Sequence, residues 1–149
     1  MNKEEISQAQ NQIHHSFFAF RNGAVAESLL KSGIPFRQVF GLLLPQIKQI
    51  ADSLTKDFDL ASCLWGNKEC REARLLAIYL FPESDLNKEE AIELISDVKT
   101  IEEAEILPFR LLRKLSFAKE LTDLNSGIYK DLSPESIYCL EMLKKNIYS

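Results

Sequence analysis

The stretch RQVFGLLLPQIKQIA at residues 37–51, followed by DLASCLW at 59–65 and REARLLA at 71–77, decides the reading of this chain. Leu44, Ile47, Ala51 and Leu54 recur at helical spacing and form one apolar stripe, and Pro45 suits the first turn of that helix. Asp57 is placed to cap a second helix carrying Leu60, Ala61, Leu64 and Trp65, which Gly66-Asn67 breaks. A third helix is predicted over about 68–81, with Cys70, Ala73, Ala77 and Leu80 on one side. Its small residues leave room for a close neighbour, and Pro82 stops it.

Working outward, Asn2 with Glu5 makes a capping box for a helix over about 3–21, whose Ile6, Ala9, Ile13, Phe17 and Phe20 share a face. A short helix over 24–31 ends toward Gly33, and Ile34-Pro35 is a non-helical link. Downstream, Asn87 with Glu90 and Thr100 with Glu103 form two more capping boxes, and Pro108 falls inside the second of those helices, where it is expected to kink it. Ser116 and Ser133-Pro134 open two final helices, the last burying Ile137, Leu140, Leu143 and Ile147. About nine helices and no strand are expected. Short helices joined by links of a few residues pack antiparallel, so the chain reads as all-α, an α-solenoid of stacked helix pairs in the HEAT-like (ARM-type) manner.

Length and composition are consistent with this. The chain has 149 residues, 46% hydrophobic and 27% charged, with five Gly and five Pro, and reads as one domain over 1–149 that needs no disulfide or metal staple. Three cysteines, Cys63, Cys70 and Cys139, make no CxxC pair. With a polar, acidic start and no long apolar run, they point to a reduced, cytoplasmic protein that enters no membrane. The net charge of −4 disfavours a dedicated nucleic-acid binder, but it is unevenly spread. Nine acids between Glu83 and Glu105 stand against Lys88 and Lys99, a local balance of −7 that leaves the remainder at +3.

The three quoted stretches, with their Phe-Gly-Leu turn, Ile-Ala helix end, Leu-Ala-x-x-Leu-Trp helix and Glu-x-Arg-x-Leu-Ala helix in that order, resemble the bacterial DNA alkylation repair glycosylases built from HEAT-like repeats. The resemblance covers about residues 21–81 closely and 87–115 loosely. It implies a DNA-facing surface, for which Arg37, Lys48, Arg71, Arg74, Arg110 and Arg113 are the candidates. Members with glycosylase activity are similar in pairing a carboxylate with aromatic walls that stabilise the cationic sugar as an alkylated base departs. The corresponding stretch, about 100–112, opens TIEEAEILP, without Trp, Tyr or Asp, so no catalytic residue is assigned. Glu102, Glu103 and Glu105 read instead as acids suited to the first turn of a helix.

Most of the motif residues also have structural explanations. Trp65 reads as a core filler with its N–H bonded to backbone, and Gly41 as a turn or close-packing residue. Glu72 and Arg74 lie two apart on a helix and do not face each other, so each needs another partner. Lys68 is one for Glu72, while Arg71 and Arg74 facing phosphates is the reading that follows from the resemblance. His14 and His15 are adjacent, on diverging helix faces, and chelate no common metal. Phe17 and Phe20 read as core, with Phe18 off the stripe. No cofactor or metal is expected.

Three functions follow in order. The first is a HEAT-like domain of the alkylation repair family that binds duplex DNA weakly without excising bases. The second is a protein-interaction scaffold that has lost its DNA function, its partner another protein, and the third is an active alkylpurine glycosylase. The first two are separated by whether the basic residues share one face.

Overall fold

In the computed structural model, which describes residues 1–148, the chain is all-α. Nine α-helices are present among the described residues: α1 Lys3–Phe20, α2 Gly23–Lys31, α3 Leu44–Asp52, α4 Phe58–Trp65, α5 Arg71–Leu80, α6 Lys88–Ser96, α7 Ile101–Arg110, α8 Ala118–Leu121 and α9 Pro134–Tyr148. Two short 3-10 helices occupy Glu83–Asp85 and Leu112–Lys114. None of the helices is long and apolar enough to cross a membrane. The chain, read above as one domain, divides into two compact units, the first Met1–Phe81 and the second from Pro82 onward.

The helix starts are set by local chemistry. Asn2 and Glu5 exchange side-chain to backbone hydrogen bonds at the head of α1, and Asn87 and Glu90 do the same for α6. Asp57 accepts from the Leu60 N–H at 2.9 Å to open α4. Gln46 reaches back to the Leu43 N–H at 2.9 Å to close the start of α3, where Pro45 sits in the first turn as expected. The box predicted at Thr100 is half made. Thr100 Oγ1 accepts from the Glu103 N–H, but the Glu103 carboxylate takes the N–H of Lys99, one residue earlier than the motif requires. Glu103 is thereby buried. Pro108 lies inside α7 and the helix ends two residues later, at Arg110.

In the first unit α5 is the central element. All of its residues except Tyr79 are buried, with α3 and α4 packed on it and α1 touching both of those helices. It begins at Arg71 rather than near Lys68, because the backbone at Cys70 is extended and pairs with Gln38 in an isolated parallel bridge. Gln38 N–H donates to the Glu69 carbonyl at 2.8 Å, and Arg71 N–H donates to the Gln38 carbonyl at 3.1 Å. A tertiary pairing thus overrides a helix pattern that would otherwise run on. In the second unit α9 is the spine, on which α7 packs most extensively and α6 and α8 also rest. Ser133 Oγ accepts from the Ser136 N–H to cap α9, and the buried Ser136 hydroxyl donates to the Ile95 carbonyl at the end of α6 at 2.7 Å. Capping and packing are joined there in one short chain of hydrogen bonds.

Candidate nucleic-acid interface

The residues that carry the family resemblance hold the first unit together. Glu72 is wholly buried, and its carboxylate accepts the backbone N–H of Phe40 at 3.0 Å and of Gly41 at 3.1 Å. The Arg71 guanidinium donates to the same carboxylate at 2.6 Å and to the Leu42 carbonyl at 3.0 Å. Three successive residues of the link between α2 and α3 are therefore fastened to the first two residues of α5. Gly41 has a φ of +81°, and a Cβ placed there would lie 2.3 Å from the Asn22 carbonyl oxygen and 2.7 Å from the Ala26 nitrogen. Only glycine satisfies both the backbone angle and that close approach to the start of α2.

Arg74 is likewise fully buried. Its guanidinium lies 3.7 Å from the centroid of the Trp65 ring and donates to the Trp65 carbonyl at 3.0 Å. A planar cation on an indole face, with a carbonyl taking one of its N–H groups, is a favourable way to house a charge in a core. Trp65 is the core residue anticipated.

The six candidate DNA contacts separate accordingly. Arg71 and Arg74, expected on a phosphate-facing surface, are buried with their guanidinium groups turned to a carboxylate, backbone carbonyls and an indole. Desolvation and internal hydrogen bonding have claimed them for the core. Glu72 bonds to Arg71 and the 40–41 backbone rather than to Lys68, the partner that the short-range pattern suggested. Arg37 is exposed and meets Glu69 at 3.4 Å, and Lys48 meets Asp52 at 2.8 Å one turn along α3. Such exposed pairs contribute about 0–1 kcal/mol, so both cations remain open to competition from another anion.

Arg110 and Arg113 lie in the second unit beside Phe109, an apolar residue left 42% exposed. The Arg113 guanidinium carbon is 4.1 Å from the ring centroid and that of Arg110 is 5.5 Å from it. Arg113 has no carboxylate partner among the described residues. Glu105, one turn before Phe109, is exposed and receives the Tyr138 hydroxyl of α9 at 3.2 Å. That contact brings a tyrosine to the stretch in which the sequence offered none, though Tyr138 presents its hydroxyl to the carboxylate.

Elsewhere, His14 stands edge-on to Phe18 and Phe40, with centroids 5.0 and 5.7 Å away, and Phe17 is buried while Phe18 is exposed. Burial pushes the Cys70 thiol up to about 11 and the Cys139 thiol up to about 12, so neither is a ready nucleophile. Among the described residues no group of three or more His, Cys, Asp or Glu is arranged to hold a metal ion.

Comparison of the chain with protein-family models, with curated proteins and with solved structures finds no match in any of the three.

Proposed function

We propose that the chain is a HEAT-like helical domain of the DNA alkylation repair type that binds nucleic acid weakly through its second unit and does not excise bases. The observation that carries this reading is the exposed Phe109 ring flanked by Arg110 and Arg113. Cations held beside an exposed aromatic ring suit nucleic acid, since the ring fixes the guanidinium groups where they can meet the phosphates of a duplex. The solenoid reading gains support from the way Gly41, Trp65, Glu72 and Arg74 act as fold-forming residues, which is what a shared scaffold would require of its motif.

A departing alkylated purine leaves a sugar cation that needs a carboxylate and an open π-face beside it. Glu103 is buried against the Lys99 backbone, Glu105 is held by Tyr138, and the exposed Phe109 ring already has Arg113 lying against it.

The test is binding to duplex DNA across a salt series. With two or three phosphates neutralised, log affinity should fall with log salt at a slope of about −2 to −3. Phe109→Ala and Arg110→Ala should each weaken binding, and Arg113→Ala should flatten the slope by about one unit. Binding that is undetectable at low salt would remove this reading. The scaffold reading would then stand, favoured by the acidic exposed surface of α6 and α7 with Ile101 62% exposed among the acids.

A further inference from the structure

An open groove of about 800 Å³ lies in the second unit between the 112–121 segment and the end of α9. Arg113, Lys114, Ser116, Lys119, Glu120 and Asn146 are among the residues that line it. Cations outnumber acids three to one on this lining, in a unit whose sequence holds nine basic against fourteen acidic residues. The excess is local and runs against the charge of its surroundings.

Two of these cations carry no ion pair among the described residues. Neither Arg113 nor Lys119 has a carboxylate partner among the described residues. Arg113 rests on Phe109, and the Lys119 ammonium is 5.9 Å from the centroid of the Tyr148 ring. Lys114 has a long, exposed contact with Glu83 at 3.6 Å, and Glu120 is engaged by Lys88 at 3.1 Å. Among the described residues of the lining Glu120 is the one acid, and it is already occupied by a lysine.

A second observation is independent of the charges. The Asn146 amide nitrogen is shut off from solvent and has no hydrogen-bond acceptor among the described residues. A buried donor left unmade costs about 1–3 kcal/mol, and such groups in folded proteins call for a reason. Asn146 is among the residues that line the groove, and the broad terminal torsion of asparagine lets its amide turn to meet an acceptor. An oxyanion there would accept the orphan N–H and lie among three cations.

We propose that this groove is a phosphate-binding site, with Asn146 as the uncharged donor, Lys119 and Lys114 as the neutralising charges, and Arg113 at its rim. Phosphate fits better than carboxylate, because a lining with three cations and an amide offers donors from several directions, which phosphate oxygens can meet and two coplanar carboxylate oxygens cannot. The phosphate belongs either to a nucleic-acid backbone or to a free phosphorylated molecule. The site stands whether or not Phe109 contacts DNA.

The experiment is titration of the full chain with sodium pyrophosphate, followed through the side-chain amide signals of Asn146 by heteronuclear NMR. Those signals should shift saturably. Lys119→Glu, a change at an exposed residue, should weaken pyrophosphate binding at least about tenfold with the melting temperature unchanged, a loss matching one charge-assisted contact. Asn146→Leu should weaken it as well. Parallel titrations with a short duplex oligonucleotide separate the two sources. Duplex affinity falling with Lys119→Glu identifies backbone phosphate, and duplex affinity that holds while pyrophosphate affinity falls identifies a free phosphorylated ligand. Signals of Asn146 that do not move, or an undiminished affinity in Lys119→Glu, would overturn the proposal. Indifference of duplex binding to Phe109→Ala and Arg110→Ala would remove only the interface proposed above.

Discussion

The Glu72 carboxylate receives the backbone N–H of Gly41 at 3.1 Å, joining the first turn of α5 to a link thirty-one residues earlier. Two backbone donors and one guanidinium converge on this buried acid. Its removal strands both backbone donors and takes one acceptor from the guanidinium. Glu72→Ala should cost roughly 3–5 kcal/mol in urea unfolding, the range for breaking a buried pair by deleting one partner. Glu72→Gln should cost less, since one oxygen can still accept an N–H. A loss under about 1 kcal/mol for the alanine variant would mean the cluster adds little.

Gly41→Ala tests the same link from the other side. A methyl group would sit 2.3 Å from the Asn22 carbonyl oxygen on a backbone with φ near +81°. The left-handed conformation alone costs an ordinary residue about 1–2 kcal/mol, and the clash adds to it. The melting temperature should drop by several degrees, and a neutral or stabilising effect would contradict the geometry.

Arg74→Ala and Arg113→Ala should behave oppositely. The first removes a buried guanidinium from the Trp65 face and should lower stability while leaving the salt slope of DNA binding by the folded protein unchanged. The second changes an exposed side chain and should leave stability within about 0.5 kcal/mol while flattening that slope. Should Arg74→Ala alter the slope at constant stability, a role for Arg74 in contacting phosphate would be restored.

Thiol chemistry offers a third contrast. Cys63 is exposed, whereas Cys70 and Cys139 are buried with their thiols pushed up to about 11 and about 12. A disulfide reagent at mildly alkaline pH should label one thiol quickly in the native protein and all three in denaturant. Fast labelling of a second native thiol would show that one of the two cores opens readily.

Asp57 links stability to pH. Its carboxyl lies below the ordinary value of 3.8, chiefly because it accepts the Leu60 N–H at the head of α4. A group depressed in the folded state stabilises above its unfolded value and loses that contribution as pH falls through the folded one. Asp57→Ala should therefore cost about 1 kcal/mol at neutral pH, as caps do. The gap between variant and parent should narrow only as pH falls below 3.8. A gap that stays constant into that acid range would rule out the charged cap.

What was legible in the sequence follows distance along the chain. The boxes at Asn2 and Asn87 and the cap at Asp57 each involve residues three apart, so a short window contains the whole interaction. Helix class and most boundaries came with them. The partners of Arg71 and Glu72 lie near residues 40–42, beyond any helical periodicity, and so the two charges looked like surface residues. One signal was available. The run LLAI at 75–78, added to Ala73 and Leu80, makes the helix apolar on nearly every side, so the charges within it must turn inward. The phosphate groove was harder still, because Lys119 and Asn146 are brought together only by the packing of α8 on α9.

The bridge between Gln38 and Cys70 bears on how the first unit opens. The leading turn of a helix ordinarily frays, and its amide protons exchange with solvent through small local fluctuations. Here the amide of Arg71 is held by the Gln38 carbonyl and that of Gln38 by the Glu69 carbonyl. Freeing either requires the 38–42 link to lift from α5, which also uncovers the Glu72 carboxylate. Hydrogen exchange at Gln38 and Arg71 should accordingly be as slow as in the middle of α5. These two amides would then report the cooperative opening of the whole unit, at a place where a free helix end would report only itself.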